Sequence, residues 1–152
     1  MPMTKDVIIG ISGLQFTGEE NSDSLEMIAP GEYYYKNGKH YIKYEEVIEG
    51  FSETNHNLVK IDQTRLELTK KGLTNLHMIF EENKKNMSCY QTPFGSLMIG
   101  IEGGPVTIRE TADQIRVNAK YSLAINYEHV ADCVIQMNIQ SKDAGDFSFK
   151  DL

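Results

Sequence analysis

Apolar and polar residues alternate with a period of two along most of this chain, which is the pattern of β-strands with one buried face. In the longest run, residues 114–127, every second residue from Ile115 to Tyr127 is apolar or tyrosine. A strand of about 14 residues is much longer than the usual 5–6 and is typical of coiled barrel walls. No window shows the stripe of an amphipathic helix.

The run at 133–139 alternates in the same way and predicts the following strand. With a five-residue hairpin loop at 128–132, Tyr127 faces Cys133 and Leu123 faces Met137. The apolar faces of the two strands then coincide, and a slip of one residue would turn every side chain to the other face. The pattern therefore predicts an antiparallel hairpin.

Turn residues predict two further hairpins. Asn37-Gly38 is a strong signal for a two-residue type I′ turn. A three-residue turn at 71–73 joins two other alternating runs and leaves His77 on the wet side beside Glu67. The predicted pairs are Tyr33–Ile42, Tyr35–His40, Tyr34–Tyr41 and Glu32–Lys43 for the first hairpin, and Leu68–Leu76 and Leu66–Met78 for the second.

The remaining alternating segments complete a single all-β domain. They predict strands at 6–16, 24–30, 55–62, 85–91 and 95–109, the last interrupted at Gly103-Gly104-Pro105. The acidic segment 45–53 is interpreted as a loop or half a turn. With hairpin-linked strands and no helix to cover an edge, closure is the simplest protection for the sheet edges. The sequence predicts one domain over residues 1–152, a closed antiparallel barrel of about eight to ten strands.

Charge and cysteine content exclude several classes of protein. The formal net charge is −7, so the chain lacks the cationic surface that nucleic acids and anionic membranes require. No apolar run approaches the roughly 18 residues of a membrane span, and residues 1–6 contain no apolar signal region. Cys89 and Cys133 are too few for a disulfide framework or a zinc site. Both are predicted to be buried free thiols in a cytoplasmic protein.

Several short motifs resemble the YwiB-like family, a bacterial domain family of unknown function. The most specific is Tyr-Gln-Thr-Pro-Phe-Gly at residues 90–95. The other matching pieces are Gly31 and Tyr33, Gly38 with Tyr41-Ile42, Tyr44-Glu45-Glu46, Leu68 through Gly72, Met78 with Phe80, Leu97-Met98, and Tyr121 with Leu123 and Ile125. The resemblance extends over residues 5–141 and implies a calycin-type (lipocalin-like) β-barrel. It implies no activity, because the family has none assigned.

Two positions depart from that family. Lys70 stands where the family tends to carry an arginine, and lysine does not reproduce the bidentate geometry of a guanidinium. The Gly103-Gly104-Pro105 break replaces a common threonine. A role that depends on the arginine fork is therefore not carried over to this chain.

Histidines and carboxylates give no recognisable site. His40, His56, His77 and His129 lack the spacing of metal ligands. His40 is the one histidine expected near the inner face, where a haem ligand is the alternative to a packed side chain. Because neighbouring strand residues point to opposite faces, Glu45 and Glu46 are interpreted as a solvated acidic edge rather than an acid/base pair.

Nucleophile motifs are equally lacking. Cys89 and Cys133 have no histidine beside them in sequence, and Ser12 and Ser96 do not occupy a nucleophile elbow. The sequence predicts a protein that is not an enzyme and that has neither a metal nor a cofactor. Residues 92–95 are interpreted as a structural turn, with a rim loop that closes over a ligand as the alternative.

Tyrosines and methionines accompany the aliphatic residues on the predicted inner face. A barrel of this size is either filled by its side chains or holds one small ligand. The predicted function is non-catalytic binding of a small apolar ligand in the lumen. The alternative is an accessory domain with a solid core that docks a protein partner. The residues predicted to line the ligand site are Tyr33, Tyr35, Tyr44, Met78, Tyr121, Leu123, Tyr127 and Met137.

Two predicted strands carry apolar residues on both faces. In 7–16 the residues in question are Val7, Ile9 and Ile11 against Ile8, Leu14 and Phe16, and in 94–101 they are Leu97, Ile99 and Ile101 against Phe94 and Met98. Exposed apolar patches usually mark an interface. A two-fold homodimer is therefore predicted, with coverage of the patch by the loops 17–23 or 45–57 as the alternative.

Overall fold

A computed structural model of the chain describes residues 5–13, 27–47 and 50–143. These residues form ten strands and, within those ranges, no helix. The strands are β1 (Asp6–Ser12), β2 (Met27–Lys36), β3 (Lys39–Val47), β4 (Thr54–Ile61), β5 (Arg65–Gly72), β6 (Leu76–Glu81), β7 (Lys85–Thr92), β8 (Gly95–Glu110), β9 (Gln114–Ile125) and β10 (Glu128–Ser141). A search of these residues found no helix with the length and apolar character to cross a membrane.

The ten strands form one antiparallel sheet in the order β6-β5-β4-β3-β2-β1-β10-β9-β8-β7. The sheet curls until its edge strands, β6 and β7, meet along a seam. We name the end with the β3–β4, β5–β6, β7–β8 and β9–β10 connections the top, and the other end the base. A turn at 82–84 joins the seam at the base, and at the top Asn75 and Gln91 exchange two backbone hydrogen bonds of 2.9 Å. The prediction of an all-β antiparallel barrel is confirmed.

Gly103 allows β8 to pass against the base of the seam. Its N–H donates to the Lys84 carbonyl at 2.9 Å, and its carbonyl accepts from the Asn83 N–H at 3.0 Å. A Cβ at Gly103 would lie 2.1 Å from the Glu81 carbonyl oxygen, a distance that no side chain can occupy. The predicted interruption at 103–105 is wrong, because β8 continues through it with a register shift between Gly103 and Val106.

The β2–β3 hairpin follows the prediction. Asn37 and Gly38 have φ angles of 54° and 77°, as a type I′ turn requires. The four predicted cross-strand pairs, from Glu32–Lys43 to Tyr35–His40, are all present. This hairpin therefore has both the turn and the register that its sequence indicates.

Two other hairpins have the predicted faces but different partners. Asn126 and Tyr127, with φ angles of 50° and 73°, form a two-residue turn instead of a loop at 128–132. The shorter turn would by itself place odd-numbered residues of β9 opposite even-numbered residues of β10. A register shift after His129 adds one residue to β10 and restores the predicted odd-to-odd pairing, in which Tyr121 faces Cys133. In the β5–β6 hairpin the pairs are Leu68–Met78 and Leu66–Phe80, two residues from those predicted.

The middle of the barrel is filled by its own side chains. Large residues that are almost completely buried come from β1 to β6 and from β8 to β10. They include Tyr33, Phe80, Ile9, Ile42, Ile61, Leu66, Leu68, Met78, Ile99, Ile101, Ile115, Leu123, Ile135, Met137 and Ile139. The polar inward-facing residues of β3, β4 and β5 lie towards the ends of these strands, above and below the apolar middle.

Candidate functional site at the top of the barrel

The inner faces of β3 to β6 change from apolar to polar towards the top. Cross-strand pairing arranges their inward side chains in rows around the barrel. From base to top the rows are His40–Ile61–Leu66–Phe80, Ile42–Val59–Leu68–Met78, Tyr44–Asn57–Lys70–Leu76, and Glu46–Asn55–Gly72. We name the polar residues of the last two rows, with Thr74 and Tyr90 beside them, the top cluster.

Glu46 is the centre of the top cluster. Its Oε1 atom accepts hydrogen bonds from Lys70 Nζ at 2.8 Å, Asn55 Nδ2 at 3.1 Å and Asn57 Nδ2 at 3.2 Å. Burial by itself favours the neutral acid, but the hydrogen bond and charge of Lys70, with the two amides, hold the pKa of Glu46 below 4.5. Glu46 and Lys70 are therefore an ion pair inside the barrel wall at neutral pH.

Asn55 connects this ion pair to the closure of the barrel. Its Nδ2 donates to Thr74 Oγ1 at 2.7 Å, and its Oδ1 accepts from the Thr74 N–H at 2.9 Å. Thr74 precedes Asn75, whose backbone pairs with Gln91 across the seam. Thr74 also has a hydrogen bond with Tyr90, which stands next to Gln91 on β7. The top cluster thus lies where the two sheet edges join.

Two tyrosine hydroxyls belong to the same cluster. Burial raises the pKa of Tyr44, and the negative charge of Glu46 raises it further. The same two causes, in the same order, raise the pKa of Tyr90. Both phenols therefore keep their protons at neutral pH, so each can donate and accept a hydrogen bond.

Asn57 carries an unsatisfied acceptor in the top cluster. The residue is 3% exposed, and its Oδ1 is a buried side-chain atom without a hydrogen-bond partner, the one such atom within the described ranges. A buried polar atom without a partner costs about 1–3 kcal/mol. Such atoms are uncommon in folded proteins.

Two phenylalanines lie at the rim of the same end. Phe51, from the β3–β4 loop, meets Phe94, from the β7–β8 turn, with ring centroids 6.1 Å apart and an angle of 70° between the planes. Thr92 Oγ1 accepts from the Phe94 N–H at 3.1 Å and donates to the Gly95 carbonyl at 2.9 Å, which holds the turn. Phe94 is 89% exposed. The predicted turn at 92–95 is present and presents an aromatic ring to solvent.

A second polar network lies near the base. His40 Nε2 lies 3.0 Å from Glu110 Oε1, and His40 Nδ1 lies 2.7 Å from the Tyr33 hydroxyl. Because a carboxylate only accepts, Nε2 carries the proton and the Tyr33 hydroxyl donates to Nδ1. Burial lowers the pKa of His40, against the opposing effect of Glu110, and burial raises the pKa of Tyr33 to about 12. The histidine predicted near the inner face is therefore a neutral, fully bonded core residue.

Six of the eight residues predicted to line the lumen are buried in the barrel. They are Tyr33, Tyr44, Met78, Tyr121, Leu123 and Met137. Tyr35 and Tyr127 were placed wrongly. Tyr35 lies close to the hairpin tip, where it is 47% exposed with its ring 5.1 Å from that of His40. Tyr127 lies in the β9–β10 turn and is 78% exposed, because that hairpin is shorter than predicted.

The interpretation of two other residues also changes. Glu45 and Glu46 do point to opposite faces, but only Glu45 is a solvated edge residue, with Oε1 3.4 Å from His56 Nδ1. Glu46 points inward, so its assignment to an acidic edge was wrong. Cys133 is buried as predicted, whereas Cys89 is exposed on β7. In the part of the chain that the structure describes, no three His, Cys, Asp or Glu side chains are placed to hold a metal.

The outer surface also carries depressions. The largest described has a volume of about 620 Å³ and lies against β1 to β4. Its lining includes Glu32, Lys43 and Glu45, which alternate with the inward-facing residues of their strands. It is thus a charged groove outside the barrel and not the apolar lumen cavity that the sequence suggested.

These features define a class of protein: a nearly closed, ten-stranded antiparallel barrel with a packed apolar middle and a polar cluster at its top. A family model described as a domain of unknown function (DUF1934) matches residues 9–137, and the chain belongs to this family. The crystal structure of the YwiB protein from Bacillus subtilis is similar, with a TM-score of 0.70 and 14% identity over 90% of this chain and 89% of that one. The resemblance to YwiB-like proteins is thus confirmed at the level of family and fold. No curated protein matches the chain.

The segments that carry the family resemblance meet in the top cluster. Glu46 comes from the 44–46 motif, Lys70 from the 68–72 motif and Tyr90 from the 90–95 motif. These segments are far apart in sequence, and none of them has a catalytic or metal-binding pattern. Their convergence at one end of the barrel could be found only from the strand order.

Proposed function

We propose that this domain binds a small molecule at the top of the barrel, against the top cluster, and that it does so without catalysis. The observation that carries the proposal is the buried Asn57 Oδ1, an acceptor without a partner in the middle of hydrogen-bonded polar groups. The expected compartment is the cytosol, which the low cysteine content favours.

The energetics of the ion pair support this proposal. A buried ion pair is weak evidence for stability, because apolar residues of similar size often give a fold that is as stable or more stable. Lys70 occupies a position whose counterpart one row lower is the apolar Leu68, and Glu46 lies one row above Tyr44. Convergent polar groups beside apolar walls are typical of ligand sites. A binding role explains why polar residues occupy these inward positions.

The protonation states and hydrogen bonds of the cluster support the non-catalytic part of the proposal. The two cluster tyrosines keep their protons, and Glu46 Oε1 is committed to three donors. The Lys70 ammonium group lies 2.8 Å from Glu46 Oε1 and is engaged in that ion pair. The cluster can hold and orient a ligand but offers no activated base or nucleophile.

A second candidate function is the docking of a protein partner by a solid barrel. The exposure of Phe94 at the rim favours it, because large exposed aromatic residues are enriched at interfaces. This candidate does not account for the buried polar atoms of the top cluster. We therefore place it second.

Native mass spectrometry of the protein purified from its own host tests the first proposal. We expect the wild type to carry a small molecule of constant mass. Asn57→Leu removes the unpartnered oxygen while keeping a similar shape, and should lose that molecule. Ser122→Ala, on the outer surface of β9, is the matched control and should keep it. A wild-type protein without any adduct, or an adduct that Asn57→Leu retains in full, would contradict the proposal.

A further inference from the structure

Resting on the proposed function, we infer that the ligand of the top cluster is a small organic cation with N–H donors, an alkylammonium or a guanidinium. Its N–H groups would donate to Asn57 Oδ1 and Glu46 Oε2. The inference is carried by the distribution of hydrogen bonds in the cluster, by its local charge and by its aromatic rings.

The cluster has acceptors to offer. All three donors that reach Glu46 bind Oε1, so Oε2 receives no hydrogen bond from the described residues. The neighbouring Asn57 presents its Oδ1, also without a donor. A group with two or more N–H bonds can satisfy both oxygens, whereas a carboxylate or phosphate has no donor for either.

The nature of residue 70 explains why Oε2 is open. An arginine at this position could bind the carboxylate with two parallel hydrogen bonds and engage both oxygens. Lys70 has a single nitrogen, which lies 2.8 Å from Oε1. The lysine therefore neutralises Glu46 without using its second oxygen.

The local charge favours a cation over an anion. Lys70 is almost fully buried behind its ion pair, with 9% of its side chain exposed. At both cluster tyrosines the charge that acts is that of Glu46, which raises the pKa of each hydroxyl. The carboxylate of the ion pair, rather than its ammonium group, therefore acts on these hydroxyls. The net charge of −7 adds a weak long-range attraction for cations.

Aromatic rings surround the same end of the barrel. Tyr44 and Tyr90 belong to the cluster, and Phe51 and Phe94 form the pair at the rim. Aromatic faces attract ammonium and guanidinium groups by about 0.5–2 kcal/mol. Rings next to acceptor oxygens give such a cation both kinds of contact that it prefers.

NMR titration of the full chain with four small probes tests this inference. The probes are n-butylammonium, butyramide, butyrate and tetramethylammonium, and the observed signals are the Asn57 side-chain amide and the resonances of Tyr44 and Tyr90. We expect n-butylammonium to give saturable shifts with an affinity at least about tenfold above that of the neutral butyramide. Butyrate should not bind, and tetramethylammonium, which lacks N–H donors, should bind more weakly than n-butylammonium.

Two substitutions separate the cluster from the general charge of the protein. Glu46→Gln keeps the shape and removes the charge, and should lower the affinity for n-butylammonium by about tenfold or more. Glu45→Gln, one residue away on the outer face, is the matched control and should leave it unchanged. If Glu46→Gln does not fold because Lys70 is left unpaired, the double variant Glu46→Gln, Lys70→Met provides the same test.

The outcomes distinguish this inference from the function on which it rests. Tighter binding of butyrate or butyramide than of n-butylammonium at the same signals would overturn the cation and leave the binding function standing. Equal affinity in the wild type and in Glu46→Gln would also overturn it. If no probe gives a saturable shift but native mass spectrometry still finds a retained adduct, the ligand belongs to another chemical class.

Discussion

The side chain of Lys70 illustrates how one residue serves both the fold and the proposed site. It follows Leu66 and Leu68 on the inner face of β5, so its aliphatic stem continues an apolar column. Its ammonium group reaches Glu46 on β3 across the intervening strand β4. Long cationic side chains commonly bury their stems in this way while the charged end finds a partner.

At the residue scale, burial decides the cost of substitutions on β9. Leu123 is fully buried, and we expect Leu123→Ala to lower the free energy of unfolding by about 2–5 kcal/mol. Ser122, its neighbour on the outer face, has an exposed hydrogen bond to Asp132, and Ser122→Ala should cost less than about 0.5 kcal/mol. Urea denaturation of the two variants checks this. Equal or reversed costs would mean that the inner face is wrongly assigned.

His40 should make stability depend on pH. Burial lowers its pKa below 6.5, so the unfolded chain binds a proton more readily than the folded protein. By linkage, the contribution of His40 to stability is present above pH 6.5 and is lost as the pH falls towards the folded pKa. Urea midpoints of the wild type should therefore decrease between about pH 7 and 5, and less steeply in His40→Gln.

The exposed His129 provides the control for this effect. Its Nε2 contacts Asp132 at the surface, and 60% of its side chain is exposed. His129→Gln should keep the wild-type pH dependence. A wild type whose midpoint is constant or rises on acidification would contradict a neutral, buried His40.

At the scale of strands and hairpins, the alternation of apolar and polar residues predicted the sheet face of each side chain better than it predicted the cross-strand pairs. The β2–β3 hairpin was right in full because Asn37-Gly38 specifies both the turn type and the register. The β9–β10 hairpin was not, since a non-glycine pair with positive φ, Asn126-Tyr127, is a weak signal. The register shift beyond it restored the predicted faces. A pattern with a period of two cannot distinguish two strand registers that differ by an even number of residues, because both place the same side chains on the same face.

The top cluster could have been found in part from the same pattern. Glu46 follows Tyr44 by two residues and Lys70 follows Leu68 by two, so both continue inward-facing columns. The charge of Glu46 favoured a solvated edge for that residue, since charged residues are rarely buried unless paired. The pairing itself depends on β4 lying between β3 and β5. The contribution of Tyr90 could not be predicted, because it depends on how β7 closes the barrel.

Adjacent glycines on β8 allow a direct test of barrel closure. Gly103→Ala places a methyl group 2.1 Å from the Glu81 carbonyl oxygen, which is backbone and cannot move aside cheaply. We expect it to lower the free energy of unfolding by about 1–3 kcal/mol. In Gly104→Ala the nearest atoms are the Lys120 Cβ and the Lys120 carbonyl oxygen, both at 3.3 Å, so the cost should be smaller than that of Gly103→Ala. Thermal denaturation of both variants compares them. Similar melting temperatures would show that β8 does not rest on β6 at Gly103.

At the scale of the whole molecule, an apolar middle separates two polar networks. The Tyr33–His40–Glu110 network at the base is closed, since both nitrogens of the imidazole have partners. The top cluster differs because two of its acceptor oxygens, on Glu46 and Asn57, have no donor within the described residues. This asymmetry is the reason for placing the proposed ligand at the top and not along the whole lumen.

Self-association remains a prediction. Val7, Ile9 and Ile11 are buried inside the barrel, and Leu14 and Phe16 lie outside the described residues. On the other predicted segment, Phe94 is almost fully exposed and Met98 is half-buried. A homodimer that buries this surface should dissociate in a Phe94→Lys, Met98→Lys double variant. Sedimentation equilibrium at tens of micromolar protein checks this, and a monomeric wild type would contradict it.

The binding of a small molecule at the top cluster is tested most directly by a high-resolution crystal structure of the protein purified from its own host. The account predicts non-protein density larger than a water molecule, within hydrogen-bond distance of Asn57 Oδ1 and Glu46 Oε2 and close to the Tyr44 and Tyr90 hydroxyls. Density for a single water at Asn57, or an Asn57 amide whose oxygen accepts a hydrogen bond from the protein itself, would contradict it.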